Sequence, residues 1–264
     1  LLFNTFLIYI INLIYIINML RRNILNEIKN KKHFLLVRHG QSIWNHDSKF
    51  TGWTNIPLTS EGKKEAQQIA NTLKNKNLHP NIIFSSVLHR AIDTSNIIKK
   101  ELNHPQINIH TSWRLNEKHY GTLEGIPRQF IRDVYGDKFT KMMRGNFNMK
   151  PPVLKNDDLE QIPKLNLEYP IYRNCYFDQI KNGESKENVL ERLLPYFQND
   201  ICYTFQEYKF PLIITHKHCA RVLMKYLLNI NDEDFEYFEI PNKTIIHVDL
   251  DNNLNYKSHY FIKY

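Results

Sequence analysis

The sequence predicts an α/β domain with a mostly parallel central sheet, helices on both faces and an active site at the C-terminal edge of the strands. Two observations carry this. Short apolar runs alternate with longer segments of helical period, the pattern of strands joined by crossover helices. Four of the junctions bear polar residues suited to anions, and open α/β sheets bind ligands at that edge.

The elements follow in order. Phe34–Val37 reads as a buried strand ending in Arg38-His39-Gly40, where glycine permits a turn. The turn at Pro57–Ser60 opens a helix over Ser60–Asn75. Asn81–Ser85 is a strand after Pro80, and Ala91–Leu102 a helix burying Ile92, Ile97 and Ile98. Ile107–His110 is a short strand. Ser185–Glu207 reads as a long helix, broken or bent near Pro195, because proline removes a helical hydrogen bond. Leu212–Thr215 is a strand, Ala220–Leu228 a helix and Thr244–Leu250 a strand. The turn at Asp251–Asn253 leads to a last strand at Ser258–Ile262. Gly125–Asn182 reads as irregular, punctuated by Pro151, Pro152, Pro163 and Pro170, and insertions of that length are usually functional.

The 264 residues suffice for one generous domain, 33–264, with an insertion at about 125–182. The formal charge of +8 is spread over isolated lysines, so a solvated surface with some attraction for anions is expected rather than a nucleic-acid groove. Cys175, Cys202 and Cys219 lack paired spacing, which argues against a disulfide framework and fits a reducing, cytoplasmic setting. Twelve histidines lack ligand spacing, and no metal is expected. Residues 1–32 stand apart, an apolar run over Leu1–Leu20 followed by Arg21-Arg22 and Lys29–Lys32. The run has the length of a membrane anchor, but Asn4, Asn12 and Asn18 would be costly in lipid. It is read as a dispensable extension; if inserted, its basic flank would keep the catalytic domain in the cytosol.

The four junctions are Arg38-His39-Gly40, Ser85–Arg90, Glu117–Tyr120 and His216–Arg221. Each alone has a plainer reading, since an arginine at a strand end is usually a surface ion pair and a lone histidine a structural residue. Gathered on one edge, they fit phosphoryl transfer. A neutral His39 attacks phosphorus, while Arg38, Arg90 and His216 hold the non-bridging oxygens. Glu117 protonates the departing oxygen and later deprotonates the incoming hydroxyl. Cationic side chains supply the charge that a metal would otherwise carry.

Five stretches resemble the cofactor-dependent phosphoglycerate mutases of the histidine phosphatase superfamily. They are Leu36–Asn45 (LVRHGQSIWN), Phe50–Trp53 (FTGW), Pro57–Gly62 (PLTSEG), Leu88–Thr94 (LHRAIDT) and Ser112–Gly125 (SWRLNEKHYGTLEG). Gly183-Glu184-Ser185 and Arg192–Pro195 add to the likeness, which runs from about Phe34 to the end. The resemblance implies a mutase-like fold, His39 as phosphorylated nucleophile, Glu117 as proton donor and His216 as second catalytic histidine. It implies Arg38, Ser42, Asn45, Thr51, Gly52 and Arg90 as phosphate and substrate ligands, with Tyr120, Arg128 and Arg144 as further substrate contacts. It also implies priming by 2,3-bisphosphoglycerate, interconversion of 3- and 2-phosphoglycerate in glycolysis, and suggests a homodimer. A histidine phosphatase, or a non-catalytic binding protein on the same fold, are the alternatives.

Two departures bear on that choice. Lys217 stands where the family has glycine after the late histidine, and is expected to reshape the site or add a phosphate contact. The sequence stops at Tyr264, near the last predicted strand, where mutases carry a tail that covers the site. Closure suppresses hydrolysis, so appreciable phosphatase activity is expected.

Overall fold

The computed structural model describes residues 13–21, 32–153, 183–207 and 209–264. The N-terminal reading of Leu1–Leu20 falls largely outside them, as do Cys175 and the centre of the insertion. Residues 13–21 are helical with exposed side chains. Among the described residues, no helix is long and apolar enough to cross a membrane.

Six strands form one sheet: β1 (Lys32–Arg38), β2 (Ile82–Ser85), β3 (Asn108–Thr111), β4 (Pro211–Thr215), β5 (Thr244–Leu250) and β6 (Tyr256–Lys263). Their spatial order is β3-β2-β4-β1-β5-β6. The first four run parallel, and β5 and β6 add antiparallel strands beyond β1. The helices are α1 (Ile43–His46), α2 (Ser60–Asn75), α3 (His89–Glu101), α4 (Arg128–Gly145), α5 (Lys186–Tyr196), α6 (Lys217–Leu228) and α7 (Asp232–Phe235).

β1 is apolar throughout its centre because both of its faces are covered. Phe34 and Leu36 pack with Ile213, Val222 and Phe197 on one side, and Leu35 and Val37 with Ile69, Leu73 and Ile98 on the other. β1 and β4 lie side by side, so the residues following them, His39 and His216, emerge together at the carboxyl edge.

Three expectations need correction. Arg128–Gly145, read as irregular, is helical with a break at Gly136 (φ 81°). Its polar sequence hides the signal, since only Ile131, Thr140, Met143 and Gly145 are buried. The helix over Ser185–Glu207 is broken near Pro195 as expected, but its second part is not α-helical. α5 ends at Tyr196, a π-helical stretch spans Phe197–Ile201, and 3₁₀ geometry covers Cys202–Glu207. Pro195 cannot donate to the α-ladder, and the wider π spacing begins directly after it. In α3, Ile98 is buried but Ile92 and Ile97 are only half-buried; Ala91, Thr94 and Ser95 fill the face instead.

Candidate active site

Backbone hydrogen bonding fixes His39 first: its N–H donates to Thr215 O at 2.9 Å, tying the ends of β1 and β4. Gly40 must be glycine, because a Cβ there would overlap the Gly62 carbonyl. The His39 ring is buried, and its Nδ1 lies 2.6 Å from Gly40 O. A carbonyl only accepts, so Nδ1 carries the proton and Nε2 presents a lone pair. Arg90 Nε donates to that lone pair at 3.2 Å. Burial, then Arg90 and Arg38, push the His39 pKa well below its ordinary value, which keeps the ring neutral and nucleophilic.

Arg90 is itself locked. Its Nη1 and Nη2 donate to Thr54 O (3.0 Å) and Gly52 O (2.7 Å), and burial lowers its pKa to about 10. Gly52 has φ +51°, and a Cβ there would overlap the Glu124 carboxylate. That carboxylate in turn accepts from Trp53 N, Thr54 N, Thr54 Oγ1 and Tyr120 N, joining the 50–54 loop to the Glu117–Tyr120 loop.

His216 sits beneath His39, with ring centroids 4.7 Å apart. Ser86 Oγ accepts from Leu88 N and lies 2.7 Å from His216 Nε2. Either tautomer of His216 can make that contact, since a hydroxyl can donate once and accept twice. The His216 Nδ1 is buried and without a protein partner, and so is Arg38 Nε. Two buried polar nitrogens left without partners beside His39 suit a site that receives a polar, anionic ligand. Burial, with Arg90, also holds His216 well below the ordinary histidine pKa.

Glu117 enters from the loop after β3. Its Oε1 accepts from Lys118 N (2.9 Å) and His218 N (3.1 Å) in the first turn of α6, and no hydrogen bond among the described residues engages Oε2. Arg192 braces this loop: it pairs with Glu184 at 2.7 Å and donates to the carbonyls of Trp113, Arg114, Asn116 and Glu117.

These groups open into a cavity of about 440 Å³. Of the expected site residues, Arg38, His39, Asn45, Thr51, Gly52, Arg90, Glu117, Tyr120, Arg128, Arg144 and Lys217 line it. His216 lies one layer below. Ser42 is buried off the cavity, its hydroxyl accepting from Asn45 N as the cap of α1. Gly52 contributes its carbonyl to Arg90 rather than a side chain to a ligand. Lys217 takes an ordinary helical position as the first residue of α6, so no glycine-only backbone is needed there. Its Nζ pairs with Glu239 Oε2 at 2.7 Å at the cavity rim.

The structure gives roles to residues to which the sequence reading assigned none. Ser86 hydrogen-bonds His216, Glu124 and the Arg192–Glu184 pair hold loops, and Gln41, Lys243 and Tyr264 line the wall. Lys118 and Lys186 are fully buried, with pKa values lowered by burial to about 8 and about 6. Only tertiary packing reveals these roles, since each residue is unremarkable in its local sequence.

The Histidine phosphatase superfamily (branch 1) profile matches residues 34–164 and 157–261. A Haemophilus influenzae 2,3-bisphosphoglycerate-dependent phosphoglycerate mutase is 35% identical over 228 residues, 86% of this chain and 99% of its own. The protein of that name from Bifidobacterium longum is 37% identical over 219 residues, covering 83% and 86%. The chain belongs to the cofactor-dependent phosphoglycerate mutase family of the histidine phosphatase superfamily. Among solved structures, a mycobacterial glucosyl-3-phosphoglycerate phosphatase complexed with VO3 superposes with TM-score 0.65 at 18% identity, over 88% of this chain and 98% of its own. Bacillus stearothermophilus YhfR reaches 0.63 at 20% identity, over 85% and 94%. At that identity the structures show the shared histidine phosphatase fold alone.

Proposed function

We propose that the protein is a phosphoglycerate mutase, interconverting 3-phosphoglycerate and 2-phosphoglycerate through a phosphohistidine on His39. The observation that carries this reading is the His39 Nε2 lone pair, with two buried nitrogens that lack a protein partner, Arg38 Nε and His216 Nδ1, close by. Two mutase relatives at 35–37% identity support the substrate class.

His39 Nε2 forms a bond to phosphorus as the bond from phosphorus to the departing oxygen breaks. Arg38, Arg90 and His216 hold the equatorial oxygens, whose charge must be stabilised in place. Glu117, positioned through Oε1, protonates the departing oxygen and in the return step removes the proton of the accepting hydroxyl. Arg128, Arg144 and Tyr120 face the remainder of the substrate, where a carboxylate and second phosphate need cations. The unpartnered buried nitrogens and the cationic wall fit 2,3-bisphosphoglycerate, which when bound supplies the phosphoryl group that primes His39. The same reading gives a small anionic substrate, a cytoplasmic setting and no nucleic-acid partner.

The test is a coupled assay of the full chain with 3-phosphoglycerate and 2,3-bisphosphoglycerate, with released phosphate followed in parallel. Isomerisation well above phosphate release is expected, with both lost in His39→Ala. Phosphate release with little isomerisation would make it a phosphatase on a mutase scaffold. Activity retained in His39→Ala would overturn the nucleophile.

A further inference from the structure

At the opposite end of the sheet, the antiparallel joint between β1 and β5 gathers His33, His247 and Asp249 on one face. Register makes this unavoidable: His33 pairs with Asp249, Leu35 pairs with His247, and alternate residues of a strand share a face. One ligand atom from each of the three lies within 4.8 Å of the others. His33 and His247 are 214 positions apart, which is why no ligand spacing shows in the sequence.

We propose that His33, His247 and Asp249 form a binding site for a divalent transition metal of the zinc type, stapling β1 to β5. The donor set is chemically apt, since two imidazoles and a carboxylate with an open fourth position form a recurrent zinc environment. His33 Nδ1 and His247 Nε2 stand 2.9 Å apart. Tetrahedral zinc needs donor atoms about 3.3 Å apart, from bond lengths of about 2.0 Å, so the pair opens by only a few tenths of an ångström.

The surroundings are already organised for this. His33 stacks on Phe210 at 4.0 Å with the rings 6° from parallel, which fixes its plane. Asp249 Oδ2 accepts from Ser258 Oγ at 3.0 Å, so the carboxylate is oriented by a hydrogen bond, as metal-bound carboxylates usually are. No lysine or arginine among the described residues forms an ion pair with Asp249, and His33 and Asp249 are only half-buried, so an ion can enter. Without a metal, the two imidazoles share one hydrogen bond between them.

The site lies far from the chemistry. His33 precedes Arg38 by five residues on the same strand, roughly 16 Å at about 3.3 Å per residue, so the ion is structural. Its binding would lock the seam where the parallel half of the sheet meets the antiparallel half.

The test is calorimetric titration of metal-free, tag-free protein with Zn²⁺, together with the visible spectrum of the Co²⁺ form and the melting temperature. Expected are one saturable site, intense tetrahedral Co²⁺ bands and a rise of about 5–10 °C at a hundredfold excess over Kd. His33→Asn and Asp249→Asn should each weaken binding by at least about 100-fold, because losing a group that merely orients a ligand already costs 10–100-fold. Both variants should melt like the metal-free protein and keep the basal isomerase or phosphatase rate, which separates this proposal from the active-site reading. Absence of a saturable site, or affinity unchanged in either folded variant, would overturn it.

Discussion

Acid should unfold this protein early, because three histidines are buried in the neutral form around the site. His39, His216 and His218 are each held well below the ordinary histidine pKa, chiefly by burial and then by neighbouring cations. The unfolded chain takes up a proton at each near pH 6.5, while the folded chain does not. Their contribution to stability is therefore complete above pH 6.5 and is lost as pH falls toward the depressed folded-state values. Each unit by which a folded-state histidine pKa lies below 6.5 is worth about 1.4 kcal/mol once the pH has fallen through it, so three such groups together can remove several kcal/mol. That is a large share of the roughly 5–15 kcal/mol of a typical domain. Lys186, lowered to about 6, acts in the same direction mainly above pH 6, where the unfolded lysine is charged and the folded one is not. The assay is urea unfolding at half-unit steps from pH 8 to 5. His218→Gln provides the internal check, since it should shrink the drop below pH 6.5 to about two-thirds. A total loss no larger than one histidine's share, with His218→Gln indistinguishable, would refute the buried-neutral assignment.

Glu117→Gln should slow phosphoryl transfer by roughly 10²–10⁴-fold while leaving substrate affinity nearly intact, as measured by single-turnover kinetics. Arg192→Met leaves the Glu184 carboxylate buried and unpaired; a loss of about 3–5 kcal/mol is expected in chemical denaturation, partly restored by adding Glu184→Gln. Glu239→Gln frees Lys217 at the rim. Glu239 also pairs with the buried Arg221 at 3.7 Å, so some stability is lost with it, while KM for the anionic substrate should fall by up to about fivefold at low salt. An unchanged KM would show that Lys217 does not reach the substrate.

Much of the site was legible in the sequence because chemistry-bearing residues follow apolar runs directly. Arg38 and His39 end β1, and His216 follows β4, so recognising two parallel strands was enough to put them at one edge. Arg90, inside helix α3, and Glu117, six residues past the exposed β3, were legible through the motifs that resemble the family rather than through strand ends. Helix α2 was read to its exact bounds because Thr59 caps it and its buried face repeats at helical spacing. Helix α4 was not legible, because it is mostly polar and broken at Gly136, and it is held by a few contacts made elsewhere in the fold.

The sequence by itself determined the α/β alternation and the placing of His39 and its neighbouring cations at a strand end, since these depend on local periodicity and on residues adjacent to strands. Tertiary structure alone decided the protonation geometry. Gly40 O places the proton of His39 on Nδ1, Ser86 engages Nε2 of His216, and burial keeps both rings neutral. It alone also brought His33 to Asp249 and His247. Proton positions and remote clusters depend on strand register and desolvation, which no local stretch of sequence encodes.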